Sequence, residues 1–79
     1  MRRSTQSAVR GAQKAITEAR DRLLETMDNE QIAYESLSER AQDGPPGERI
    51  EQIIDDLSIV CSDLDSAIDK LEEMLPSTR

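Results

Sequence analysis

Histidine, phenylalanine and tryptophan are absent from this chain, Tyr34 is its only aromatic residue and Cys61 its only cysteine. Each absence closes a route to stability or chemistry. One thiol forms no intrachain disulfide, and without histidine there is no ligand set for a structural zinc and no Glu-x-x-His pair for a di-iron carboxylate bundle. Aromatic-poor composition disfavours sheet sandwiches and aromatic-lined ligand pockets, so essentially no strand and no cofactor are expected. The chain has no histidine base, no GxxxxGK or GxSxG motif and no calcium-loop pattern, and a non-enzymatic protein is expected. Long apolar runs are missing too. No segment approaches the eighteen or so residues of a membrane span, and Arg2 and Arg3 are followed by no apolar signal core, so the expectation is a soluble, cytoplasmic protein without membrane contact.

What is present is helix-forming and charged. Seventeen acidic residues outnumber ten basic ones, for a net charge of −7. The first seventeen residues hold Arg2, Arg3, Arg10 and Lys14 and no acid, a local +4, leaving −11 for the remainder. The two ends therefore differ in kind.

From Ile50 to Leu75 apolar residues recur with heptad spacing: Ile50, Leu57, Leu64 and Leu71, with Ile53/Ile54, Val60/Cys61, Ala67/Ile68 and Met74/Leu75 between them. This pattern predicts an amphipathic helix of about 40 Å whose apolar face is wider than one partner covers. Only Ile59 falls off the pattern. Upstream, Val9, Ala12, Ile16, Ala19, Leu23, Met27, Glu30, Tyr34, Leu37 and Ala41 form a second stripe, with one extra four-residue step near Leu23 that reads as a stutter. It predicts a single helix over residues 5–42, capped by Ser4 or Thr5, with Gly11 costing on the order of 1 kcal/mol near its start.

Asp43-Gly44-Pro45-Pro46-Gly47 separates the two stripes. The expected loop is 43–46, with Gly44 in a left-handed C-terminal position, Pro46 in the first turn of a helix over 47–75 and Glu48 near that helix's positive end. Pro76 ends the helix and residues 77–79 form a tail. A short link makes the helices antiparallel neighbours, so the predicted fold is all-α, one helical-hairpin domain over residues 1–79. Folding back at the loop brings the second helix to about residue 15, so the basic start should overhang. A single core of this size supplies only about 3–5 kcal/mol. Dimerisation into a four-helix bundle would answer both the overhang and the wide seam.

The expected oligomer interface comprises Ile50, Ile53, Ile54, Leu57, Val60, Cys61, Leu64, Ile68, Leu71 and Leu75, with Ile16, Leu23, Met27, Tyr34 and Leu37 from the first helix. Within it Glu30 either pairs with an arginine or with Tyr34, or the stripe drifts and the carboxylate reaches solvent. If the hairpin is symmetric about its loop, Ile59 lies at the height of Glu30, and Glu30, Tyr34 and Ile59 form a partner patch filled by another subunit or another protein. Cys61 is a packing residue, or an intersubunit or redox thiol. Arg2, Arg3, Arg10 and Lys14 contact either phosphates or acidic faces of a neighbouring subunit.

At Asp28-Asn29-Glu30-Gln31-Ile32-Ala33-Tyr34-Glu35-Ser36-Leu37-Ser38-Glu39, followed by Gln42 and Gly47-Glu48, the chain resembles a group of short acidic helical proteins in bacterial and phage genomes. Ser38 stands where that group has proline. The resemblance implies a helical hairpin and a mobile-element setting, and it carries over no catalytic residue. Three functional classes follow: a protein-binding or regulatory homo-oligomer; an inhibitor whose acidic faces imitate nucleic acid toward a nucleic-acid-binding target; and a small nucleic-acid-binding dimer using the basic arm.

Overall fold

The computed structural model describes residues 1–76; the tail expected at 77–79 lies outside the described residues. Among the described residues every regular element is helical: α1 Arg3–Glu35, α2 Glu39–Gln42 and α3 Pro45–Met74. The body measures 58 × 19 × 14 Å. At 14 Å its thinnest dimension is little more than one helix diameter, so α1 and α3 lie side by side with no third layer.

Their direction follows from side-chain pairs. Gln13 Nε2 donates to Glu72 Oε2 at 2.7 Å and Arg20 Nη1 donates to Asp65 Oδ1 at 2.7 Å. Seven residues forward on α1 match seven residues back on α3, so the two helices run antiparallel in one fixed register. The half-buried positions obey it. The seam consists of Gln6, Val9, Gln13, Ile16, Arg20, Leu23, Met27, Glu30 and Tyr34 on α1 with Leu37 just after it, and Ile50, Ile54, Leu57, Cys61, Leu64, Ile68 and Leu71 on α3 with Leu75 just after it, all buried or half-buried; Thr17 and Ala67 are half-buried beside it. Steps of three and four alternate along both without a break.

This corrects the stripe expected on α1. Ala12 and Ala19 are exposed, and Gln13 and Arg20 hold the seam positions in their place, so there is no stutter at Leu23. Apolarity ranks alanine above glutamine and arginine; reach reverses the order, because only the long side chains span the gap to α3 acids.

The helix expected over 5–42 is broken. α1 stops at Glu35, where Ser36 Oγ donates to the Ile32 carbonyl at 2.9 Å, and a new turn starts at Ser38, whose hydroxyl accepts from the Ala41 amide at 3.2 Å. Ser38 thus starts the new turn by capping it. Gln42 closes the joint, donating from Nε2 to the carbonyls of Tyr34 and Leu37 at 3.1 and 3.3 Å and so tying the end of α1 and the link after it to α2.

Three further expectations change at the helix ends. Arg2, not Ser4 or Thr5, precedes α1, without a side-chain cap. Gly44 is extended (φ −104°, ψ −169°) and immediately precedes α3 as its N-cap; no glycine has positive φ. Both Pro45 and Pro46 lie in the first turn of α3, where missing amides cost nothing. The glycine that the joint requires is Gly47, since a Cβ there would overlap the Gln42 backbone carbonyl. Finally, α2 shifts the fold-back point toward the N-terminus. α3 therefore covers α1 as far as Val9, which is buried, instead of stopping near residue 15.

Candidate functional site

The seam absorbs most of the apolar residues expected at an interface between subunits. Ile50, Ile54, Leu57, Cys61, Leu64, Ile68, Leu71 and Leu75 face Ile16, Leu23, Met27, Tyr34 and Leu37 within one chain. Cys61, 5% exposed, is packed there and withdrawn from surface chemistry.

On either side of the seam runs a flank. One flank follows the seam residues and is polar except at Leu24: Glu51, Ser58, Asp65 and Glu72 on α3, with Arg10, Thr17 and Gln31 beside the exposed Leu24 on α1. Here the cross-helix bonds form. Arg20 also donates to Asp21 at 3.1 Å, and hydrogen bonding to Asp65 and then Asp21 raises its pKa, holding the guanidinium charged. Hydrogen bonding with Glu51, followed by partial desolvation, raises the Tyr34 phenol above its ordinary value. Gln13 and Arg20 thus meet Glu72 and Asp65, two rungs seven residues apart on both helices, and Tyr34 stands two heptads beyond Arg20, as Glu51 does from Asp65.

The opposite flank precedes the seam residues and is uncharged. On α3 it consists of Ile53, Val60, Ala67 and Met74, with Ile53 37%, Val60 42% and Met74 46% exposed. On α1 it consists of Ala12, Ala19, Thr26 and Ala33, all exposed. In an antiparallel pair the two rows that precede their seam positions share one side. They therefore form one continuous strip along the body, large on α3 and small on α1. On α1 the strip borders a shallow open groove lined by Ala15, Glu18, Ala19, Arg22 and Leu23. This strip is the candidate site.

The patch expected from Glu30, Tyr34 and Ile59 does not assemble. The register sets Glu30 beside Ile54, while Ile59, 62% exposed, lies on the outer face of α3 and away from the seam. The cause is the displaced fold-back point, which moves every facing pair. Glu30 stays on an undrifted seam row, half-buried, with no hydrogen-bond or ion-pair partner among the described residues; the carboxylate that acts on the Tyr34 phenol is Glu51. Of the basic residues, Arg10 and Lys14 lie alongside the last turns of α3, and only Arg2 and Arg3 extend past Val9.

The residues missed from sequence were Gln13, Arg20 and the alanines. A signal existed: Gln6, Gln13 and Arg20 repeat at seven, as do Glu51, Ser58, Asp65 and Glu72. Among the described residues no three potential metal ligands cluster, and no helix is long and apolar enough to cross a membrane. No protein-family model, curated protein or solved structure matches the chain.

Proposed function

We propose that this protein is a non-enzymatic interaction module, a helical hairpin that acts as a homo-oligomer by burying its uncharged flank against a second copy in a four-helix bundle. One observation carries the reading: Ile53, Val60 and Met74 stand exposed in register along the whole of α3, with no helix of their own chain over them. Three large side chains at heptad spacing are a row, and scattered surface residues would show no such order. A two-layered pair of helices also has little interior; two copies create one.

Sedimentation velocity across a concentration series tests it. A dimer at micromolar concentration and a thermal midpoint that rises with concentration are expected. A monomer with a concentration-independent midpoint overturns the reading.

A second reading has its own support. Asp55, Asp56, Asp63 and Asp69 are all exposed on α3, and such an acidic face suits a basic, nucleic-acid-binding protein partner. Competition between the protein and duplex DNA for such a partner, weakening as salt rises, is the expected sign.

A further inference from the structure

We infer that the second copy docks with its α1 on this copy's α3, about a two-fold axis parallel to the helices, so that both turns lie at the same end of the bundle. This rests on the oligomer reading and adds its geometry.

Two symmetric arrangements bury the strip against itself. An axis across the helices sets α1 on α1 and α3 on α3; an axis along them sets each α1 on the other copy's α3. Size distinguishes them. Ile53, Val60 and Met74 make α3 a ridge, whereas Ala12, Ala15, Ala19 and Ala33 make α1 a furrow. Like on like leaves ridge against ridge and a void between alanines, and close packing disfavours both. The crossed arrangement seats each ridge in a furrow. The register places Met74 at the height of Ala12, Val60 at that of Thr26 and Ile53 at that of Ala33, and an axis along the helices preserves these heights between copies.

Charge agrees independently. α3 carries Glu48, Glu51, Asp55, Asp56, Asp63, Asp65, Asp69, Glu72 and Glu73 against only Arg49 and Lys70, so α3 on α3 brings like charges together. α1 carries Arg22 on the rim of the strip, and the register that joins Arg20 to Asp65 within a chain sets Arg22 beside Asp63 of the second copy. Neither Arg22 nor Asp63 has an ion-pair partner among the described residues. Both are exposed, and the crossed dimer supplies each with its opposite, twice over by symmetry.

Disulfide trapping reads the geometry. Two chains, each in a Cys61→Ala background with native helicity by circular dichroism, carry Thr26→Cys or Val60→Cys. Mixed and oxidised, they should yield mainly the disulfide joining one chain of each kind, since facing positions on adjacent helices come within disulfide reach. Ready self-linkage of the Val60→Cys chain, or no linkage in a sample that still sediments as a dimer, overturns the crossed arrangement and leaves the oligomer reading standing. A native chain that sediments as a monomer overturns both. With Cys61 intact, Arg22→Asp and Asp63→Arg should each raise the dimer dissociation constant about fivefold to tenfold, as two exposed pairs turned repulsive would. Combined in one chain they should restore it to within about threefold, and failure to restore it also overturns the arrangement.

Discussion

Arg20 reaches Asp65 at 2.7 Å from a position where the seam of a helix pair ordinarily holds an apolar side chain. Its side chain is about one-quarter exposed, which suits a stem that packs between the helices and a head that reaches Asp65 on the polar flank. A charge at such a place specifies register more than it stabilises, because a slip by one heptad toward Ser58 removes its partner and a slip the other way takes Glu72 from Gln13.

Substitutions at Arg20 should separate those roles. Arg20→Leu fits the seam and leaves Asp65 in water, so the thermal midpoint should hold or rise by a few degrees. Arg20→Glu sets a like charge beside Asp21 and Asp65 and should lower it. Thermal unfolding followed by circular dichroism checks both; a larger loss for the leucine variant than for the glutamate variant would refute the assignment.

Gly11 and Gly47 should respond oppositely to alanine. Nothing lies within 4 Å of a Cβ placed at Gly11, so Gly11→Ala should stabilise by about 0.5–1 kcal/mol through helix propensity. At Gly47 the same methyl meets the Gln42 carbonyl and pushes α2 off α3, a loss on the order of 2 kcal/mol. Urea unfolding of both variants measures the contrast.

Ser38 offers a test of the joint. Its hydroxyl caps α2, so Ser38→Ala should cost about 1 kcal/mol. Ser38→Pro loses the same cap, but φ at Ser38 is already −63° and proline narrows the unfolded chain, which offsets roughly half or more of that loss. Helicity should be unchanged and stability should fall between native and the alanine variant.

Tyr34 ties stability to alkaline pH. Its phenol is raised in the folded state, so the unfolded chain releases that proton first as pH climbs past about 10. The unfolded state then binds fewer protons than the folded one, and stability falls with pH until the folded phenol also ionises; below the unfolded value the contribution is fully present. Tyr34→Phe should flatten this segment of the profile, and Glu51→Gln should bring the phenolate absorbance transition down toward that of free tyrosine.

The helices were legible because heptad spacing in Ile50 to Leu75 and the Gly-Pro-Pro-Gly break are local signals. Register was not, because it depends on where the chain folds back, and that point was moved by α2. Nothing in residues 36–42 has helical apolar content enough to announce a separate turn; the Ser38 cap and the Gln42 clamp on Tyr34 and Leu37 become visible only in three dimensions. From that one displacement followed the misplaced overhang and the false pairing of Glu30 with Ile59. α1 leaves one row of the wide apolar face of α3 exposed, and the division between its covered and uncovered rows, Cys61 against Val60, needed the direction from which α1 approaches.

Adjacent residues on α3 make the sharpest test of that division. Ile59, on the outer face, and Val60, on the uncharged flank, are both exposed and both branched aliphatics, and neither is needed by the seam. Composition therefore predicts the same response to aspartate at each, and the effect on the folded single chain should indeed be similar and small, within about 0.5 kcal/mol for a surface substitution. Association should divide them. Val60→Asp sets a carboxylate at the centre of the strip, opposite Thr26 of the second copy, and its desolvation on docking should shift the dimer to monomer across the micromolar range. Ile59→Asp adds a charge to a face that remains in water and should leave the sedimentation profile unchanged. If Ile59→Asp dissociates the dimer and Val60→Asp does not, the copies meet on the outer face of α3 and the uncharged flank is not the interface.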